Sequence, residues 1–192
     1  MIGPEEILKF WLDDAGEEKW YAVDDAFDQE IRDRFLTTWE DACDGKFSLW
    51  LTHPTGALAY IILTDQFPRN MFRGQGRAFS SDAVALAAAK SAIHKGWDMR
   101  IDPPARQFFY LPLMHSENLM DQDRCVRLIC ERMPASSTNM LHARAHRKVI
   151  RDFGRFPYRN EALDRHSTTH EQSYIDDGGY GSTVRALEAE AA

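Results

Sequence analysis

The segment DAVALAAAKSAIHK, residues 82–95, is the least ambiguous helix in the sequence of this chain. Six of its fourteen residues are alanine, the residue with the highest intrinsic helix propensity. Ser80 or Ser81 can cap its first turn, and Gly96 follows as a helix terminator. The pattern therefore predicts an α-helix over this segment.

Helical spacing continues on both sides of that segment. Upstream, large apolar residues recur every four positions, after a cap at Asp24 or Asp25 and before Gly45. These apolar residues are Phe27, Ile31, Phe35 and Trp39. Further helices are predicted over residues 4–12, 54–65, 105–113, 117–133, 137–153 and 168–177. No pair of strands is convincing, so we predict an all-α fold.

The last predicted helix carries a capping box, because Thr168 precedes Glu171 by three positions. Glycines at 178, 179 and 181 follow it and predict a flexible joint. We therefore expect a single helical domain over residues 1–177. Residues 178–192 are expected to form a flexible, glycine-containing C-terminal tail.

Composition excludes several classes of protein. The chain has 192 residues, of which 44% are hydrophobic and 28% are charged, so it is neither disordered nor disulfide-dense. The three cysteines, at 43, 125 and 130, are expected to be buried free thiols. The N-terminus has acids where a signal peptide has bases, and no apolar run reaches the ~20 residues of a membrane span. We expect a cytoplasmic protein with no membrane partner.

The net charge of −7 is unevenly distributed. Residues 1–45 carry a net charge of −10, whereas residues 46–135 carry +3 and residues 136–167 carry +4. Residues 168–192 return to −4. A globally acidic chain argues against nucleic acid, whose binding depends on neutralising phosphates. The basic centre still allows a local site for a small anion.

A short motif that occurs twice in the sequence supplies candidate site residues. DQFPRN occupies residues 65–70 and RFPYRN occupies residues 155–160, each directly after a predicted helix. Phenylalanine before proline is expected to stop the helix, so that arginine and asparagine project from a braced corner. We call residues 65–73 the first corner and residues 153–160 the second. The candidate ligand-binding residues there are Arg69, Asn70, Arg73, Arg155, Arg159 and Asn160. Arginines that tie helix ends to neighbouring acids are the alternative interpretation.

A second feature is His115-Ser116-Glu117. The favoured interpretation makes Ser116 a helix cap and places Glu117 in the first helical turn. The other interpretation makes His115 and Glu117 acid–base groups, with Asp65 as a third catalytic candidate. A serine nucleophile is weakly supported, since its base is normally brought to it across space.

Two histidines, His142 and His146, share a helix face. Arginines and a lysine on the same turns disfavour a cation, so we predict no metal and assign His146 to the anion site. The sequence has no Walker loop, G-x-G-x-x-G or G-x-S-x-G motif, and we predict no cofactor.

Several of these motifs together resemble a bacterial family, domain of unknown function 924. The matching pieces are ILKFW at 7–11, DQFPRN at 65–70, FYLPL at 109–113, HSE at 115–117 and FGRFPYRN at 153–160. The chain departs where the family usually has histidine (Tyr158) and glycine (Asp164). The resemblance implies an all-α, right-handed superhelix of antiparallel helix pairs similar to tetratricopeptide repeats. It implies no activity and no catalytic residue.

Two hypotheses about function follow. The first is an Arg/His/Asn-lined pocket for a small anion, a phosphate or carboxylate, with hydrolase or transferase chemistry left open. The alternative is a tetratricopeptide-like module that holds a protein or peptide partner in a groove. A homodimer through the tryptophan-rich first helix is a third, weaker idea.

Overall fold

The computed structural model describes residues 2–191, and within them every regular element is helical, which confirms the all-α prediction. The α-helices are α1 (Pro4–Leu8), α2 (Glu17–Trp20), α3 (Asp25–Cys43), α4 (Pro54–Ile61), α5 (Phe67–Met71), α6 (Asp82–His94), α7 (Leu111–Met114), α8 (Leu119–Arg132), α9 (Ser137–Phe153), α10 (Thr169–Asp176) and α11 (Gly179–Ala191). No helix in the described part of the chain combines the length and apolarity needed to cross a bilayer.

Tighter and wider helical turns connect these elements. Two segments are π-helical, Lys9–Ala15 after α1 and Ile62–Gln66 after α4. Short 3-10 turns occupy Ser48–Thr52, Gly76–Phe79, Asp98–Arg100, Ala105–Phe109 and Pro157–Arg159. The predicted helix over 105–113 is therefore divided between a 3-10 turn and α7.

The chain divides into two compact units, one ending at Pro112 and the other beginning at Leu113. The single helical domain expected over residues 1–177 stays a prediction. The superhelical pairing implied by the family resemblance stays a prediction.

The first unit is built on the apolar stripe of α3. Phe27, Ile31, Phe35 and Trp39 are all buried, as their four-residue spacing predicts. Asp24 caps the helix by accepting hydrogen bonds from the N–H groups of residues 26 and 27. Aromatic rings from several elements pack together in the core of this unit. They are Phe10, Trp11, Phe35, Phe67 and Phe108.

The alanine-rich segment forms α6 and packs against the buried α4. Ala85, Ala89 and Ala92 are at most 1% exposed, so small side chains bring the two helices close together. Ser81 occupies the N-cap position of α6, but its side chain does not cap the helix. Its hydroxyl instead donates to the carbonyl oxygen of Thr64 and accepts a hydrogen bond from the Trp39 indole.

The second unit is organised around α9, which packs against α8 and α11. Gly154 ends α9 in a left-handed conformation with φ of 74°, as its position predicts. Val149, Ile150 and Phe156 form a buried cluster, against which Tyr174 and Tyr180 pack.

Three local predictions are corrected. The segment expected to be a flexible tail forms α11, because its alanines favour a helix and its apolar residues find a partner in α9. The cap of α8 is Asn118 rather than Ser116, so Glu117 lies before the helix and not in its first turn. Among the free cysteines, Cys125 is buried while Cys43 and Cys130 are exposed.

Candidate functional site

The first corner lies within a continuous helical run. The π-helical segment Ile62–Gln66 leads directly into α5, and Phe67 keeps helical angles, φ −58° and ψ −40°. The prediction that the helix stops before Pro68 is therefore wrong. The π turn, with the N–H of Phe67 bonded to the oxygen of Ile62, lets Pro68 begin a new turn, where its missing N–H is tolerated.

Arg69 of this corner is held by acids and carbonyl oxygens. Its Nη1 donates to the backbone oxygen of Asp65 at 2.8 Å and to Oδ1 of Asp82 at 2.9 Å, and its Nη2 donates to Oδ2 of Asp82 at 3.2 Å. The carboxylate of Asp65 is fully buried and accepts a hydrogen bond from Gln66. Arg69 thus ties the start of α5 to the start of α6.

The remaining candidates of this corner converge on Asp28 of α3. Arg73 donates from Nε and Nη2 to both carboxylate oxygens, at 2.7 and 2.9 Å. Asn70 adds a hydrogen bond from Nδ2 at 2.8 Å. Burial alone would raise the pKa of Asp28, but the hydrogen bonds from Arg73 and Asn70 hold it below its ordinary value. Asp28 is therefore an ionised carboxylate at the centre of a brace.

Arg155 of the second corner is also paired. Its Nε and Nη2 donate to the two carboxylate oxygens of Glu171, at 2.6 and 2.9 Å. Glu171 simultaneously completes the predicted capping box with Thr168, which the structure confirms. The hydrogen bond from Arg155, together with those from Thr168, lowers the pKa of Glu171 to about 2. Arg155 thus anchors the corner to the first turn of α10.

Glu117 holds the same corner from another side. Its Oε1 accepts a hydrogen bond from the N–H of Phe156 at 2.8 Å, and Arg165 donates to both carboxylate oxygens at 2.8 and 3.0 Å. Burial is the largest influence and would raise the pKa of Glu117, but the contacts with Arg165 and the Phe156 N–H, together with the charge of Arg159, outweigh it and the pKa is lowered. Ser116 donates to Asp121 at 2.9 Å. Two of the three residues in His115-Ser116-Glu117 therefore stabilise loops.

The histidines of α9 form a network with Tyr180 of α11. Nδ1 of His146 lies 2.9 Å from the carbonyl oxygen of His142 and 3.0 Å from the Tyr180 hydroxyl. That hydroxyl lies 2.7 Å from Nδ1 of His142. Because a carbonyl oxygen only accepts, we assign the proton of His146 to Nδ1. The Tyr180 hydroxyl then donates to His142, and Nε2 of His146 carries a lone pair.

His146 is uncharged at neutral pH. Burial is the largest cause of the shift, and repulsion from His115 and Arg159 adds to it, so that its pKa falls to about 3. Burial lowers the pKa of His142 as well. The two imidazoles are therefore neutral hydrogen-bonding groups in this environment.

The Phe156 ring brings the remaining site residues together. The Arg159 guanidinium lies over this ring, 4.5 Å from its centroid, and the His146 ring meets it edge-on at 5.5 Å between centroids. The His115 ring is 6.3 Å from that of His146. Arg159 is only 6% exposed. We call His115, His146 and Arg159 the His–Arg cluster.

Asn160 follows Arg159 and is 1% exposed. Its Nδ2 donates to Ser167 at 3.0 Å, while its buried Oδ1 has no hydrogen-bond partner among residues 2–191. Across those residues no group of three or more His, Cys, Asp or Glu side chains has a metal-binding arrangement.

The structure places most of the predicted site residues in two groups. The members of one group bond to carboxylates, and those of the other lie around the rings of Phe156 and His146, with Asn160 next in sequence. The carboxylate-bound residues are Arg69, Asn70, Arg73 and Arg155. Tyr180 is not among the predicted site residues, because the glycines around it predict a flexible joint; the helical spacing of Tyr180, Val184 and Leu187 is the signal that indicates a helix.

Comparisons with known proteins place the chain in a family. No curated protein matches it. A solved structure of a protein of unknown function from Agrobacterium tumefaciens is similar, with 37% identity and a TM-score of 0.85 over 91% of this chain and 97% of the other. Residues 7–179 match the family described as bacterial protein of unknown function, DUF924. The chain therefore belongs to the bacterial family DUF924.

Proposed function

We propose that this protein binds a small anion, a phosphate or a carboxylate, at the His–Arg cluster of its second unit. The observation that carries the proposal is the position of Arg159 and His115 around the neutral ring of His146. A guanidinium that is 6% exposed acts through a medium of low polarity, where its attraction for an anion is strong.

The local charges support this placement. The carboxylate of Glu117 accepts hydrogen bonds from Arg165 and from the N–H of Phe156. The positive charge of Arg159 also contributes to the lowered pKa of Glu117. Its two oxygens are therefore committed to holding the corner. His115, the member of the cluster that follows α7, is partly accessible to solvent. An incoming anion would meet donors from two different segments, which is typical of recognition sites.

The other predicted residues have a supporting role in this proposal. Arg155, through Glu171, fixes the second corner to α10. The first corner stabilises its own unit through Asp28 and Asp82. Arg155 and the two arginines of the first corner, Arg69 and Arg73, are therefore not assigned to the ligand.

Titration calorimetry with inorganic phosphate, sulfate, acetate and glycolate tests the proposal. We expect Arg159→Gln to weaken binding of these anions by roughly tenfold to a hundredfold, the contribution of a charged hydrogen bond. Arg144→Gln is the matched control, since Arg144 is an exposed arginine of the same unit. Absence of binding by all four anions in the wild type contradicts the proposal. So does an equal loss in both variants, which would indicate a diffuse charge effect.

A further inference from the structure

An apolar cavity of about 310 Å³ lies in the first unit, beside the alanine-rich helix α6. Helices α4 and α6, the 3-10 turn Ser48–Thr52 and the segment after α6 supply its walls. The lining residues of α6 recur at intervals of three and four positions, so one face of that helix borders the cavity. Among the residues that line the cavity are Leu51, Tyr60, Val84, Ala87, Ser91 and Trp97.

The walls of this cavity are mainly apolar. The ring of Tyr60 is buried, and its hydroxyl donates to the carbonyl oxygen of Ala42 at 3.3 Å. Within α4 and α6, the backbone N–H and C=O groups bond to each other. An extended peptide would therefore lose the water around its amide groups without gaining partners. A saturated hydrocarbon chain has no such groups to satisfy.

The dimensions of the cavity also select its occupant. A helix from a partner protein is about 10–12 Å across, so only its side chains could enter. Val84 and Ser91 are seven positions apart on α6, which corresponds to a rise of about 10 Å. An alkyl chain of medium length that lies along this face of α6 matches both the length and the volume of the cavity.

A positive charge lies at one end of the cavity. Lys95 follows Ser91 by four positions, and its Nζ lies 4.2 Å from the centroid of the Trp97 ring, which lines the cavity. This cation–π contact keeps the ammonium group beside the apolar walls. The Lys95 side chain is exposed, so its charge remains accessible to an anion. A ligand with both an alkyl chain and a carboxylate therefore complements the cavity and its charged end.

We propose that this cavity binds a medium-chain aliphatic carboxylate, with the alkyl chain along α6 and the carboxylate beside Lys95. The proposal is independent of the proposed function, because every residue that lines the cavity belongs to the first unit. Each methylene group removed from water tightens binding about fourfold. An ion pair exposed to solvent tightens it only about twofold to fivefold. The alkyl chain thus supplies most of the affinity, and Lys95 fixes its direction.

A series of ligands tests the preference for chain length and charge. Titration calorimetry on the wild type compares butyrate, hexanoate, octanoate and 1-octanol. We expect affinity to rise about fourfold with each methylene group from butyrate to octanoate. The uncharged 1-octanol should bind about twofold to fivefold more weakly than octanoate. Equal affinities for butyrate and octanoate would overturn the proposal, and so would tighter binding of the alcohol.

Variants of α6 locate the site. Ala87→Phe places a ring in the cavity and should weaken octanoate binding at least tenfold. Ala83→Phe is the matched control, because Ala83 is an exposed alanine of α6 outside the cavity lining. Lys95→Gln should weaken octanoate binding about twofold to fivefold, and Lys95→Arg should retain it. An equal loss in the two phenylalanine variants would contradict the proposal.

A spectroscopic measurement on the wild type covers the case in which Ala87→Phe does not fold. The indole N–H resonance of Trp97, identified by its absence in Trp97→Phe, should shift on addition of octanoate. An unchanged resonance at saturating octanoate would show that the cavity is not the site. Octanoate binding that is lost in Arg159→Gln but kept in Ala87→Phe would assign the carboxylate to the His–Arg cluster and overturn the proposal. Self-association that Ala87→Phe abolishes, without octanoate binding, would instead assign the cavity to a second copy of the chain.

Discussion

The two corners have nearly the same amino-acid sequence, but their side chains make different contacts. In the first corner, Arg69 and Arg73 donate to Asp82 and Asp28. In the second corner, Arg155 is paired with Glu171, but Arg159 stacks on Phe156 beside two histidines. The first corner thus works as a brace, and the second combines a brace with a guanidinium stacked on an aromatic ring.

The backbone explains the difference. The first corner continues as helix through Pro68, which turns Asn70 and Arg73 back onto α3. The second corner follows a left-handed Gly154, which breaks the helix before the 3-10 turn Pro157–Arg159. The comparison teaches that Phe-Pro followed by Arg-Asn has no fixed geometry. The backbone before the motif differs between the two copies, and so do the contacts of the arginines that follow it.

The largest effect is expected when the brace of the first corner is removed. Asp28→Ala deletes the shared acceptor of Arg73 and Asn70 and leaves their donors without it. We expect the free energy of unfolding to fall by about 2 kcal/mol, discounted for the partial exposure of Arg73. Urea denaturation measures the change. Asp13→Ala, at an exposed position, is the control and should stay near the wild type. Weaker anion binding in Asp28→Ala, with unchanged stability, would reverse the assignment of brace and site.

A smaller effect concerns the second corner and pH. The pKa of Glu171 is about 2 in the folded protein against an ordinary value of 4.5. A lowered folded pKa contributes stability that is complete above the ordinary value and is lost as pH falls toward 2. The free energy of unfolding should therefore decrease between about pH 5 and pH 2, and Glu171→Gln should reduce that slope. Glu161→Gln, at an exposed position, should retain the wild-type slope. Identical slopes in both variants would show that the Arg155 contact contributes little.

The sequence alone predicts the local structure correctly wherever a short pattern of residues is compatible with only one structure. The stripe of α3, the alanine-rich α6, the stop at Gly154 and the capping box of Thr168 all depend on side chains within one or two turns. Propensity and spacing alone specify such features.

The missed features depend on residues distant in sequence. The π-helical segment before Phe67 leaves no simple signature in the sequence, so the sequence predicts a helix stop before Pro68 that the structure does not have. Helix α11 is stabilised by α9, and this contact cannot be read from its glycine-rich start. The cluster of His115, His146 and Arg159 joins segments up to 44 positions apart. Residue types alone indicate these candidates, but only the fold brings Arg159 onto the Phe156 ring beside His146.

The smallest effect is expected at Asp164, which has a positive φ of 52° within the second unit. Family resemblance gives glycine at this position, and glycine adopts this conformation without strain. Asp164→Gly should raise the free energy of unfolding by about 0.5 kcal/mol, the relief of strain less the entropy that glycine adds. Asp164→Ala keeps the strain without the polar side chain and should lower stability. Thermal denaturation of the pair checks the sign. A less stable glycine variant would mean that the Asp164 side chain outweighs the backbone strain.

The contribution of Tyr180 has a consequence for biosynthesis. During synthesis, residues 115–160 emerge from the ribosome before α11. For that time, the imidazoles of His142 and His146 lack the Tyr180 hydroxyl to which both are hydrogen-bonded. Their order is established only when the last helix docks on α9. In a nascent chain, the network of His142, His146 and Tyr180 is therefore among the last parts of the second unit to form.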